Sequence, residues 1–202
     1  MSRWILRVLC LLVAAAPVLA ACGGGGGGGE EDVVLVRFKV SELTGMEPTT
    51  VTSASHPGLF ELHPSIASVS IAQFNENGPF KPDDTPMTWR PSLAPSPPHM
   101  IPSTITLTIT PAGDAVSYSS VTFTISADVP NNPSSIRLKS SSDGFASTLQ
   151  TYLTDVERTD TVLLTTTESA SPFQLVWEAH NDGGANGGGS AGFSTQDLVV
   201  LR

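Results

Sequence analysis

The chain has only two cysteines, Cys10 and Cys22, too few for a disulfide framework or a cysteine-built zinc site. Cations are also scarce: ten Lys and Arg stand against 19 Asp and Glu, a formal charge of −9. No basic cluster is present to neutralise a phosphate backbone, so nucleic acid is not an expected partner. The acidic balance argues for solubility and names no ligand. The longest apolar run, Val8 to Ala21, is about 14 residues, short of the ~20 that span a hydrocarbon core. No segment repeats its apolar residues at helical spacing over a useful length, which leaves strands as the expected elements.

What is present begins with an export signal. Arg3 and Arg7 precede the apolar run, and the small residues Ala20 and Ala21 close it before Cys22. The segment Leu19-Ala20-Ala21-Cys22 resembles the lipobox of bacterial lipoproteins. The resemblance implies cleavage before Cys22, a diacylglyceryl thioether on its sulfur and an acyl chain, such as palmitate, on its amine. A simple secretory cleavage after Val18-Leu19-Ala20 is the alternative. Lipid on Cys22 implies attachment to a membrane, since each buried CH₂ contributes about 0.8 kcal/mol and two or three chains hold firmly. Gly23 to Gly29 follow without a break and read as a flexible tether. Gly23 stands where aspartate signals inner-membrane retention in that family, so the expected location is the cell envelope at the outer membrane. Loss of residues 1–21 removes two cations and no acid, taking the charge from −9 to −11 and leaving Cys22 as the sole cysteine. The expected organisation is a signal at 1–21, a lipidated cysteine and tether at 22–32, and one domain at 33–202.

Within that domain, Val34, Val36, Phe38 and Val40 alternate with Arg37 and Lys39, which predicts a strand with those apolar residues on one face. Period-two patterns recur at Ile105-Leu107-Ile109 and Val121-Phe123-Ile125. Further strands are predicted at 135–139, 161–166, 173–178 and 198–201, with Thr and Ser on the outward positions. Turn residues separate them at Pro111-Ala112-Gly113-Asp114, Pro130-Asn131-Asn132-Pro133, Asp143-Gly144 and Asp182 to Gly192. Many short strands at this spacing predict an all-β fold, an antiparallel β-sandwich of jelly-roll type. Nine prolines between Pro79 and Pro111 mark either a linker or an irregular excursion, about 79–103, within one sandwich. The single sandwich is expected, because residues 33–78 are too poor in apolar mass for their own core.

The stretches Tyr118 to Ile125, Ser135 to Ser147 and Phe173 to Val200 are similar to a β-sandwich segment of bacterial exported proteins, many of them exosortase-sorted. The segment Leu43-Thr44-Gly45-Met46-Glu47-Pro48-Thr49 is similar to that group's opening. The resemblance implies a one-domain sandwich and carries no catalytic set. The group's hydrophobic sorting tail is not expected here, the lipid on Cys22 taking its place.

Candidate chemistry is sparse. Gly187, Gly189 and Gly192 fit G-x-G-x-x-G, but the following residues read as a strand and no acidic ribose partner follows, so a loop is expected. His56, His63, His99 and His180 lack metal-pair spacing, and no Gly-x-Ser-x-Gly elbow is present. Asp143, Asn181, Asp182 and Asp197 offer oxygen ligands of the kind calcium takes, yet Asp143 and Asp182 equally suit turns that bond their own backbone. No metal or other cofactor and no catalytic residue is therefore assigned. Trp89, Tyr118 and Tyr152 are the candidate ligand-binding faces, by aromatic stacking on sugars, with Trp177 assigned to the core beside Phe173 and Leu175. The expected function is a non-enzymatic envelope lipoprotein whose sandwich contacts a glycan or another envelope protein. An exported hydrolase acting on polysaccharide or ester is the alternative.

Overall fold

The computed structural model describes residues 32–43, 50–74, 88–89, 103–127, 135–153, 157–180, 191–193 and 196–202. The lipobox, the glycine tether, His99, Asn181 and Asp182 lie outside the described residues. The elements are β1 (Val34–Phe38), β2 (Thr50–Thr52), β3 (Phe60–Leu62), β4 (Ile66–Phe74), β5 (Thr88–Trp89), β6 (Ser103–Pro111), β7 (Ser120–Ala127), β8 (Ser135–Ser140), β9 (Gln150–Leu153), β10 (Arg158–Leu163), β11 (Phe173–His180), β12 (Ala191–Phe193) and β13 (Leu198–Leu201). Three single 3-10 turns sit between them.

The strands form two antiparallel sheets of one β-sandwich, and Asp32–Arg202 is one compact unit. One sheet runs β2-β4-β6-β11-β8-β9, and the other runs β3-β1-β13-β7-β12-β5 with β10 on the free side of β7. Strands β4 and β6, which flank the proline-rich segment, pair directly from Ile66–Pro111 to Phe74–Thr104. β1 pairs with β13 at the other extreme of the sequence. Long-range pairing of this kind makes the fold depend on its core, because little in the sequence is locally self-sufficient.

That core is built by alternation. Ile105, Leu107 and Ile109 of β6 face Leu175 and Trp177 of β11, and Val121, Phe123 and Ile125 of β7 face them from the other sheet; all eight are buried. The rings of Phe123 and Trp177 meet edge to face at 5.2 Å and 81°, and Phe193 meets Trp177 at 5.1 Å and 88°. Edge-to-face contacts match the positive ring edge to a negative ring face. Trp177 is therefore a core residue, as its strand face implies.

The alternation predicted for β1 fails at its first residue. A bulge shifts the register between Val34 and Val36, so Leu35 and Val36 are both buried while Val34 turns outward. A bulge inserts one residue on one strand and re-aims the side chains beside it. At the other end, Val40 is buried but belongs to a 3-10 turn at Val40–Glu42. The strand predicted at 161–166 is Arg158–Leu163, and Leu164 tucks back into the core beyond it. The terminal strand predicted from Phe193 onward is broken: Phe193 pairs with Ile125 and Val199 with Thr122, so six residues advance against three on β7. Gly192 lies within β12, paired with Ser126, so the third glycine of the G-x-G-x-x-G sits in a strand and opens no helix.

Candidate binding face

The two tyrosines expected to stack on a ligand are turned inward. Tyr118 is 3 % exposed with its ring stacked on Phe173 at 4.4 Å, and Tyr152 is fully buried with its ring against Phe123 at 5.4 Å. Both tyrosines fall on inward positions, so neither presents a face to solvent and the expectation is corrected: they are core residues. Burial pushes the Tyr118 phenol up to about 12 and raises that of Tyr152 further. Trp89 belongs to β5, where its backbone pairs with Ala191 in the row that continues to Ala127.

The predicted turn at Asp143 is confirmed in atomic detail. Its carboxylate accepts the Ser147 backbone N–H at 2.9 Å and the Ser147 hydroxyl, and these bonds hold its pKa below the usual carboxylate value. Gly144 and Phe145 follow with φ of 68° and 65°, left-handed values that only glycine adopts without strain. Asp197 instead pairs with Arg37 at 3.3 Å. Among the described residues no three His, Cys, Asp or Glu come together as a metal site. His56 and His63 each meet a neighbouring serine hydroxyl through Nδ1 at 2.8 Å, as turn residues do.

The outer face of the six-stranded sheet is where polar chemistry collects. Inward residues alternate with Ser70, Ala72 and Phe74 on β4, with Thr104, Thr106 and Thr108 on β6, with Gln174, Val176, Glu178 and His180 on β11, and with Arg137 and Lys139 on β8. The pairings place Phe74, Thr104, Glu178, Arg137 and Thr151 in one row across five strands. At about 4.8 Å per strand that row is about 19 Å long. Lys139 Nζ lies 3.0 Å from Glu178 Oε2, and His180 Nε2 lies 3.2 Å from the same oxygen. Gln174 Nε2 donates to Thr108 Oγ1 at 3.1 Å. In the strands of this sheet Glu178 is the sole carboxylate, set against Arg137 and Lys139.

The opposite sheet has the reverse balance. Its outer face ties Arg37 to Glu61 at 3.2 Å and to Asp197, and Lys39 to Glu61 at 3.3 Å and Glu42 at 3.6 Å. Two cations there meet three carboxylates, and Glu61 first, then Glu42, raise the Lys39 pKa. Among the described residues, the strands of the six-stranded sheet thus carry more cations than carboxylates.

Phe74, half exposed at one end of the row, is the open aromatic that sequence reasoning missed. Its signal was available in Val69-Ser70-Ile71-Ala72-Gln73-Phe74, whose alternation puts Phe74 on the side away from Val69 and Ile71. Gln73 holds the inward position that an apolar residue normally fills, which hides the pattern. A serine lies next to the histidine that meets Glu178. Ser135 is the register partner of His180, which meets Glu178, but Ser135 is itself buried and offers no accessible nucleophile.

No family model and no curated protein matches the chain. Among solved structures, a mutant family 29 carbohydrate-binding module complexed with mannohexaose aligns over 84 % of this chain and 92 % of its own, at 10 % identity and a TM-score of 0.36. The K1 cleaved adhesin domain of Lys-gingipain from Porphyromonas gingivalis W83 aligns over 84 % and 98 %, at 16 % identity and a TM-score of 0.38. The K3 domain of the same adhesin gives 15 % and 0.36. These values mark a distant likeness of outline.

Proposed function

We propose that the mature protein is a lipid-anchored lipoprotein of the outer membrane whose sandwich binds an anionic glycan across the outer face of its six-stranded sheet. The observation that carries the reading is the row Phe74, Thr104, Glu178, Arg137 and Thr151, with Lys139 beside it. Two threonine hydroxyls, the Arg137 guanidinium and the Lys139 ammonium around a single carboxylate, Glu178, suit a hydroxylated, negatively charged chain. Arg137 presents a planar fork of donors that fits a carboxylate, and Phe74 adds an apolar face against which a sugar ring can pack. A protein-binding patch is enriched in aromatics, Met and Arg and depleted in Lys and Glu, so Glu178 and Lys139 at the middle of this surface favour the glycan over a protein partner. The lipobox Leu19-Ala20-Ala21-Cys22 and the glycine run support the anchor.

Two experiments test the two halves of this reading. The lipidated protein in detergent should bind a uronate-rich polysaccharide and ignore a neutral glucan, with affinity falling as salt rises. Arg137→Gln and Phe74→Ala should each weaken that binding by about 5-fold or more, the equivalent of about 1 kcal/mol. Equal affinity for acidic and neutral glycans, or an envelope protein retained with no glycan bound, would refute the glycan half. For the anchor, Cys22→Ser should abolish metabolic fatty-acid labelling and leave uncleaved precursor. Normal labelling of that variant overturns the anchor.

A further inference from the structure

The seven-stranded sheet carries a second feature, at the end where the domain begins. Val33 and Arg202 exchange backbone hydrogen bonds at 3.1 and 2.9 Å, so the chain enters the sandwich beside the residue at which β13 finishes. The outermost row of that sheet's outer face is Val34, Leu201, Ser120 and Leu163, one residue from each of β1, β13, β7 and β10. The β1 bulge turns Val34 into this row, and Leu163 stands almost clear of the protein at 79 % exposure. Ser120, between the leucines, is buried. The next outward row is Glu61, Arg37, Val199, Thr122 and Thr161, where Thr122 and Thr161 join their hydroxyls at 2.8 Å. Polarity therefore rises within one row of leaving the chain entry.

We infer that the row Val34, Leu201 and Leu163 rests against the lipid surface and sets how the anchored domain stands on it. This rests on lipidation of Cys22. Cys22 precedes Asp32 by ten residues, a reach of about 35 Å fully extended and about 17 Å on average, so the acyl chains hold this end of the sandwich near the bilayer. Leu163, which projects from the edge strand β10 at this end of the sheet, is an exposed apolar side chain placed to meet the acyl region. A second copy of the chain is the poorer occupant, because mature chains of charge −11 repel each other and the row is one residue deep.

The sole mature cysteine is consumed by lipid, so a single introduced cysteine labels cleanly. Lipidated Leu163→Cys and Val34→Cys, carrying a polarity-sensitive fluorophore, are bound to phosphatidylcholine vesicles containing a nitroxide-bearing lipid, with Thr161→Cys and Phe74→Cys as references. Labels at positions 163 and 34 should shift to the blue and be quenched several-fold more than those at 161 and 74. Equal quenching at all four positions in protein that floats with the vesicles overturns the row and leaves the anchor standing. Protein that fails to float overturns both. A blue shift that appears without lipid and grows with protein concentration assigns the row to self-association and also overturns the inference.

Discussion

Tyr118→Phe should make this protein more stable, against the usual direction of that substitution. The Tyr118 ring is packed on Phe173, and its backbone is fastened by Thr166, whose Oγ1 accepts the Tyr118 N–H at 2.7 Å and donates to its carbonyl at 3.1 Å. The phenol oxygen is buried and has no hydrogen-bond partner among the described residues. A satisfied tyrosine hydroxyl contributes about 0.5–1.5 kcal/mol when it is kept, whereas an unsatisfied one costs about 1–3 kcal/mol in lost hydration. Removing it should therefore raise stability by about 1–2 kcal/mol and leave the ring contact and the Thr166 bonds unchanged. For a domain of this size that is a rise of about 2–8 °C in Tm.

The same unsatisfied phenol fixes a pH dependence. Burial raises the Tyr118 pKa from 10.0 to about 12, so the folded protein holds this proton more tightly than the unfolded chain. The contribution is level below pH 10 and falls as pH climbs from 10 toward 12, because the unfolded chain releases the proton first. The difference between the two values corresponds to about 3 kcal/mol once both states are ionised. Tyr152 acts in the same direction, through burial and then the charge of Asp160. Urea unfolding followed by fluorescence of the buried Trp177, repeated from about pH 9 to about pH 12, should show a steep alkaline loss that Tyr118→Phe partly removes. A fall of about 1 kcal/mol or more at neutral pH in Tyr118→Phe would show that the hydroxyl is satisfied, by water or otherwise, and would refute the reasoning.

Further outcomes follow from the core and from the Asp143 turn. Trp177→Ala should lose about 3–5 kcal/mol, and a cycle of Trp177→Leu with Phe123→Leu should show a coupling of about 0.5–1.5 kcal/mol; strict additivity would mean the edge-to-face contact contributes nothing beyond burial. Asp143→Ala should lower Tm at neutral pH and converge with the parent in acid, because a carboxylate with a depressed pKa stabilises above its unfolded pKa and ceases to as pH falls through its folded value. Calcium should leave the Tm of the parent unchanged, since the Asp143 carboxylate is already bonded to Ser147; a rise that Asp143→Ala abolishes would return Asp143 to the role of a metal ligand.

The sandwich was legible wherever apolar residues alternate cleanly, with Thr or Ser in β6 and β7 and with Gln, Glu and His in β11. β4 escaped notice because Ala72 and Gln73 blur its two faces, although it pairs along its whole length with β6. β2, β3 and β9 are three or four residues long and carry too few alternations to register as a period. Val34 was misplaced because a bulge is a property of the pair β1 and β13, and neither strand's sequence shows it alone. The tyrosines misled for a related reason. Tyr152 flanks polar residues and reads as a surface aromatic, but its burial comes from Phe123 on the opposite sheet and Ile136 on the neighbouring strand, both distant in sequence. Likewise no local motif joins Phe74, Glu178 and Arg137, which only strand register brings into one row.

Register also decides whether an anchor and a binding face are compatible in one small domain. Val33, Arg202, Ser120 and Leu163 lie at one end of the sandwich through the pairings of β1, β13, β7 and β10, and Phe173 lies there too through its ring contact with Tyr118. Phe74, Ser103, Ser135, Leu153 and His180 lie at the other, where β4, β6, β8, β9 and β11 pair by their opposite extremes. Five residues of β11 separate Phe173 from Glu178, about 17 Å at 3.3 Å per residue. For a chain held at its tether end, the row of Phe74, Glu178 and Arg137 therefore stands well clear of the lipid, and on the sheet opposite to the one that carries Leu163. Were the tether to enter at the Phe74 end instead, the bilayer would compete with any polymer for the same surface. The pairing of Val33 with Arg202 is what prevents that, so the two proposals, tested separately, draw on one topology.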